Sequence, residues 1–156
     1  MSMDQEGWAY AQRVFDQQKL TRLAYLAGFF DGEGYIIICR DKTSTGRLNY
    51  RLRMGANQVT VEPINLLKQE FGGLIQKSVR TNPKHRDIYS WQQHSQKAVV
   101  ALNSLLPYLV VKREQAEFAI EWVAANRGFK GKLKTETDLA WLESQKDILH
   151  NMKGKL

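Results

Sequence analysis

Residues 23–36 read Leu-Ala-Tyr-Leu-Ala-Gly-Phe-Phe-Asp-Gly-Glu-Gly-Tyr-Ile, a run with no charge until its end, where two acids stand among glycines. Thr21 can N-cap this segment, Leu20 and Tyr25 can form a hydrophobic staple across the cap, and Gly32 and Gly34 can stop it. The expected helix runs from about Arg22 to Asp31. A helix apolar all round must be covered on every side, and one small sheet covers only one of them. Ala24, Gly28 and Gly32 recur every four residues, so one stripe is nearly flush with the backbone and admits a second helix at close range. An identical helix related by two-fold symmetry satisfies this, and it sets Asp31 and Glu33 of both copies side by side.

Acids at close range repel unless cations intervene, and hard oxygen ligands around Mg²⁺ are the usual solution. Paired sites of this kind suit phosphodiester cleavage, polarising phosphoryl oxygens, helping to generate hydroxide and neutralising the leaving oxygen. The two acids differ. Asp31, after a helix and before a glycine, reads first as a cap or turn residue. Glu33 is the candidate metal carboxylate.

The remaining chain alternates hairpins with helices. Trp8, Ala11 and Phe15 recur at helical spacing, predicting a short amphipathic helix ahead of the main fold. Residues 35–40 and 49–57 flank a turn-rich stretch and read as a hairpin. In its second strand Tyr50, Leu52, Met54 and Ala56 share one face, and Arg51, Arg53 and Asn57 the other. Ile36 to Ile38 is apolar throughout, which leaves the parity of Tyr35, Cys39 and Asp41 open. Pro63, Ile64, Leu67 and Phe71 mark a helix closed by Gly72 and Gly73. A second hairpin spans residues 74–80 and 88–92. Helices follow from a Ser95 cap to near Pro107, from Lys112 to near Gly128, and from a Thr135–Asp138 capping box onward. Two hairpins each followed by a helix predict an α+β fold with one four-stranded antiparallel sheet and helices on one face. Residues 1–20 are then an N-terminal helical extension and residues 21–156 a single domain.

With 23 Lys and Arg against 16 Asp and Glu, the net charge of +7 favours a polyanionic partner. The lone Cys39 excludes an internal disulfide framework and a Cys-rich zinc site, so a reducing compartment is the simpler expectation. The apolar runs at 23–30 and 105–111 fall far short of the ~20 residues a membrane span needs. The start, Met-Ser-Met-Asp-Gln-Glu, carries no apolar or Arg-rich leader, so export is not expected.

The segment Leu-Ala-Tyr-Leu-Ala-Gly-Phe-Phe-Asp-Gly-Glu-Gly resembles the LAGLIDADG motif of homing endonucleases, in the variant with glycine between the acids and glutamate as the second acid. The resemblance extends over about Leu20 to Met152, and it implies an αββαββα core with the motif helix at a dimer interface, placing Ala24, Ala27, Gly28 and Asp31 there. It makes Glu33 the ligand of the catalytic divalent metal, with the carbonyl of Gly32, and Asp31 mainly structural. Leu106-Pro-Tyr-Leu followed by Lys112-x-x-Gln115-Ala116 is similar to the family segment that brings a basic residue to the scissile phosphate, implicating Lys112. Gln58 stands where the family orients water with a polar side chain, Asn57 being the alternative. An amide donates to and accepts from water. One copy of the motif implies a homodimer on nearly palindromic double-stranded DNA, using Mg²⁺ with Mn²⁺ as a substitute and no small-molecule substrate. The implied setting is a prokaryotic cytoplasm or an organelle encoding its own intron.

A two-stranded ribbon fits the major groove, and strand alternation puts Arg51, Arg53, Gln76, Ser78, Arg80, Ser90 and Gln92 on the DNA side. The basic residues of 41–47, 84–86 and 127–134 are expected on phosphates, which give position rather than sequence. Two other readings stand beside the endonuclease. One is a DNA or RNA binder of the same type that has lost cleavage, including an intron maturase. The other, a purely structural dimer, explains the flush helix but not the acids or the charge.

Overall fold

The structure, a computed structural model, describes residues 4–126 and 133–153. Helix α1 (Gln5–Glu33) starts at Asp4, whose carboxylate accepts from the Gly7 amide at 2.7 Å. It then runs unbroken for 29 residues. Two helices were expected with a cap at Thr21, and that expectation is corrected. The Thr21 hydroxyl instead donates to the Gln17 carbonyl at 2.9 Å, and Leu20 and Tyr25 remain exposed, so neither cap nor staple forms. Residues 16–22 contain no glycine or proline, and a threonine that back-bonds within a helix does not have to end it.

Strands β1 (Gly34–Lys42) and β2 (Leu48–Gln58) form the first hairpin, α2 (Val61–Phe71) follows, and β3 (Leu74–Ser78) and β4 (Ile88–His94) form the second. Helices α3 (Ser95–Leu105), α4 (Arg113–Asn126) and α5 (Glu136–Met152) complete the order, with a 3₁₀ turn at Leu106–Tyr108. The sheet order is β1-β2-β4-β3, antiparallel throughout, so the inner strands come from different hairpins.

One face of the sheet meets the helices. Ile36, Ile38, Leu52, Met54 and Trp91 from the strands are buried with Leu26 and Phe30 of α1, Ile64 and Leu67 of α2, and Leu102 of α3. Burying such side chains stabilises by about 1.5–3 kcal/mol each relative to exposure. Two side chains of β4 finish α2: Trp91 Nε1 donates to the Gly72 carbonyl at 2.7 Å, and the buried Gln93 amide donates to the Phe71 carbonyl at 2.9 Å. They satisfy carbonyls that a helix end leaves without partners. Gly55 is required in β2, because a Cβ there would lie 2.5 Å from both the Trp91 carbonyl oxygen and the Tyr35 hydroxyl.

The capping box at Thr135 and Asp138 forms as expected. Ser95 does not cap α3: it is the first helical residue, with φ +50°, and His94 occupies the cap position without a side-chain hydrogen bond. The expected end of the preceding helix near Gly128 lies outside the described residues. No helix among the described residues is long and apolar enough to cross a membrane.

Candidate active site and nucleic-acid interface

The last turn of α1 and the first residue of β1 are joined without a loop. The Gly34 amide donates to the Phe30 carbonyl and closes the helix. A side chain at Gly34 would collide with the ring of Phe30, which is fully buried, so the glycine is fixed by the packing of the motif helix itself. Glu33 is consequently held exposed at the helix C-terminus, where the last carbonyls, Gly32's among them, carry partial negative charge.

Asp31 faces the other way. Its Oδ2 accepts from the Val110 amide at 2.9 Å and its Oδ1 from the Lys112 amide at 3.0 Å. The carboxylate thus anchors the segment leading into α4. The Lys112 ammonium returns to α1, donating to the main-chain carbonyl of Asp31 at 2.6 Å. Partial burial lowers the Lys112 pKa, and the negative charges of Asp31 and Glu33 pull it back upward. Lys112 and Glu33 therefore lie within each other's field at one end of the sheet. Lys112 borders a cavity of about 380 Å³ lined also by Asp31, Gly34, Tyr35, Gln115 and Lys153, among others.

The first pairing of the sheet sets Gly34 opposite Ala56, so the chain leaves Glu33 beside the end of β2, where Asn57 and Gln58 stand. Gln58 is the last residue of β2, in register with Tyr89, and its Oε1 accepts from the Val59 amide at 2.7 Å. Its side chain is folded onto its own turn. Asn57 is exposed, opposite Ser90, with the strand parity of Arg51 and Arg53.

Ala24 and Gly28 are exposed, and a Cβ at Gly28 or Gly32 would meet nothing within 4 Å among the described residues, so none of these covers the flush stripe. Two residues expected at the contact between copies point elsewhere. Ala27 is 0% exposed and belongs to the chain's own core, since its place on the helix wheel joins it to Leu23, Leu26 and Phe30. The Asp31 carboxylate is bound within its own chain by the Val110 and Lys112 amides.

The open face of the sheet carries the expected Arg51, Arg53, Gln76, Ser78, Ser90 and Gln92, aligned by the pairs Gln76↔Ser90, Asn57↔Ser90 and Arg53↔His94. Arg80 lies beyond the paired strand, so alternation does not place it. Strand β3 ends at Ser78, because the Asp87 carboxylate accepts the Arg80 amide at 3.0 Å and turns the chain into the loop. The pairs Ile37↔Arg53 and Cys39↔Arg51 settle the parity of β1, adding Tyr35, Ile37, Cys39 and Asp41 to the open face. Arg51 pairs with Asp41 at 2.9 Å. Burial raises the Cys39 pKa and keeps the group a thiol, whereas burial and then the two arginines lower the pKa of His94. Arg53 Nε is buried without a hydrogen-bond partner among the described residues. Arg47 and Lys84 to Arg86 are exposed, as phosphate contacts require. The expectation for residues 127–132 lies outside the described residues.

Sequence reasoning missed His94, Lys153 and the position of Gln115 in the cavity wall. Gln115 was visible as part of a motif, but its burial depends on how α4 packs.

The chemistry of the donors fits a hard divalent cation. Glu33 and the Gly32 carbonyl offer oxygen only, at the negative end of a helix, while the Asp31 carboxylate is taken by two amides. Among the described residues, no three His, Cys, Asp or Glu side chains gather as a metal cage.

The solved structures most like the chain include the homing endonuclease I-CvuI bound to its target in the presence of Ca. Its TM-score is 0.69 at 20% identity, over 89% of this chain and 86% of that one. The archaeal intron-encoded homing endonuclease I-Vdi141I complexed with DNA aligns with a TM-score of 0.65 at 18% identity, covering 85% and 84% of the two chains. The homing endonuclease I-TnaI aligns at 0.57 and 16% identity over 83% of this chain and 94% of its own. No protein of curated function matches the sequence. These likenesses establish the fold. The sequence pattern described as LAGLIDADG endonuclease matches residues 26–118, and on that match the chain belongs to the LAGLIDADG endonuclease family.

Proposed function

We propose that the protein is a homodimeric, site-specific double-strand DNA endonuclease that uses Mg²⁺, with Mn²⁺ as a substitute. The observation that carries this reading is the convergence of Glu33 and Lys112 at the end of a sheet whose open face carries Arg51 and Arg53. I-CvuI and I-Vdi141I were each solved with DNA, which supports the same use of the sheet here.

Glu33 and the Gly32 carbonyl would hold the cation, which would supply Lewis-acid charge stabilisation to phosphodiester cleavage. The Lys112 ammonium donates to a non-bridging phosphate oxygen as negative charge grows there, at a position its bond to Asp31 predetermines. The amide of Gln58, or of Asn57, orients the attacking water. Ala24 and Gly28 admit the second copy, which brings a second Glu33 to the axis. Residues 21–156 act as one domain and residues 1–20 as an extension of it. Arg51, Arg53, Gln76, Ser78, Ser90 and Gln92 read base edges, Arg suiting guanine and Gln adenine.

Selection of cleavable sites from a random duplex library in Mg²⁺, repeated in Ca²⁺, tests cutting, metal use and site symmetry together. A nearly palindromic site cut in Mg²⁺ is expected, with Glu33→Gln abolishing cutting and sparing binding. Undiminished cutting by Glu33→Gln refutes the metal assignment. Binding without cutting by the natural chain identifies a DNA binder instead.

A further inference from the structure

Gln115 is 7% exposed, and its Oε1 is buried with no hydrogen-bond partner among the described residues. It lies one turn after Lys112 and lines the same cavity of about 380 Å³, together with Asp31, Tyr35 and Lys153. An unsatisfied buried acceptor costs about 1–3 kcal/mol, whereas a polar space of this size accommodates water that makes several hydrogen bonds. Two cations border the space: burial lowers the pKa of Lys153, and the nearby charge of Lys112 lowers it further. The Lys112 ammonium has three donors, and the Asp31 carbonyl takes one of them.

We propose that Gln115 is a positioning residue for Lys112, its Oε1 accepting a hydrogen bond from a cavity water that in turn accepts one from the Lys112 ammonium. The ammonium is then held from two sides, by the Asp31 carbonyl and by this water, and it keeps its remaining donor for a phosphate oxygen. Gln115 itself touches neither DNA nor metal. Its role in cleavage rests on the endonuclease reading, but its link to Lys112 does not.

The test is a double-mutant cycle of Gln115→Met, which keeps length and removes the acceptor, with Lys112→Met. On a duplex carrying the site recovered in Mg²⁺, Gln115→Met is expected to slow single-turnover cleavage roughly 10-fold with unchanged affinity, as removal of a supporting group does. In the Lys112→Met background it is expected to add nothing, and Gln115→Glu, which restores an acceptor, is expected to recover the rate. Equal slowing in both backgrounds overturns the proposal. The same cycle in the free protein, read from urea midpoints, needs no cutting. If the natural chain binds DNA and does not cut it, the endonuclease reading fails. The urea cycle then decides the link, coupling upholding it and additivity overturning it.

Discussion

Asp31 and Lys112 are joined twice: the Lys112 amide donates to the Asp31 carboxylate at 3.0 Å, and the Lys112 ammonium donates to the Asp31 carbonyl at 2.6 Å. The first acid of the motif is therefore a clamp on the lysine's backbone. Replacing it by alanine strands the Val110 and Lys112 amides, and Asp31→Ala is expected to cost roughly 1–3 kcal/mol in urea unfolding. Glu33→Ala, at an exposed position, is expected to stay within about 0.5 kcal/mol. Equal losses at the two acids would contradict the division of roles.

Gly28 and Gly55 should respond in opposite ways. Among the described residues nothing lies within 4 Å of a Cβ at Gly28, so Gly28→Leu is expected to leave the protomer folded, with helix propensity improved by up to about 1 kcal/mol. Across a two-fold axis the same side chain blocks close approach, and sedimentation should report the 18.0 kDa protomer in place of a dimer. Gly55→Ala meets the Trp91 carbonyl and the Tyr35 hydroxyl and is expected to lose about 1–3 kcal/mol, read by thermal melting.

The contact between α5 and the sheet titrates. The Tyr50 hydroxyl donates to Glu143 at 2.7 Å, and this bond lowers the glutamate's pKa against the opposing effect of partial burial, with Lys146 and Arg40 adding to it. A carboxyl with a lowered folded pKa stabilises fully above its unfolded value, and that contribution is lost as pH falls through the folded value. Tyr50→Phe is expected to cost about 1 kcal/mol at neutral pH, and less once Glu143 is protonated. Urea midpoints at pH 7 and below pH about 4 would check this. A pH-independent difference would assign the loss to packing.

Salt separates the two kinds of basic residue. Lys84→Ala and Arg86→Ala, in the exposed loop, are expected to flatten the log–log salt dependence of DNA affinity by about 0.9 for each phosphate that is no longer neutralised. Arg53→Ala should instead relax sequence preference at one base pair. The binding isotherms that decide this are taken over a range of salt on matched and mismatched duplexes.

Alternation in β2 made its two faces legible, since Leu52 and Met54 alternate with Arg51 and Arg53 and only one parity buries them. Strand β1 offers no such contrast, and its parity emerges only from pairing with β2. Asp31 looks like a local cap in sequence, yet its partners lie 79 and 81 residues away, a distance that no local pattern encodes. Ala27 reads as another small residue beside Gly28, but one helical step of about 100° turns it into the core. Thr21 mimics a helix start because its hydroxyl can satisfy either an amide ahead or a carbonyl behind. Gln58 and Asn57 differ by one step at a strand end, where the chain's turn decides which amide faces the site.

The unbroken α1 spans two regimes of time. Leu23, Leu26, Ala27 and Phe30 bury its inner half, so those amides exchange with solvent only when the core opens. Residues 5–19 have no such cover, with Trp8 63% and Phe15 59% exposed, and a helical stretch of this length is marginal alone in water. In a protomer without a partner, amide exchange should be fast up to about Leu20 and slow beyond Leu23. That step marks where the body of the protein ceases to hold the helix, and its disappearance on adding any binding partner would locate that partner along α1.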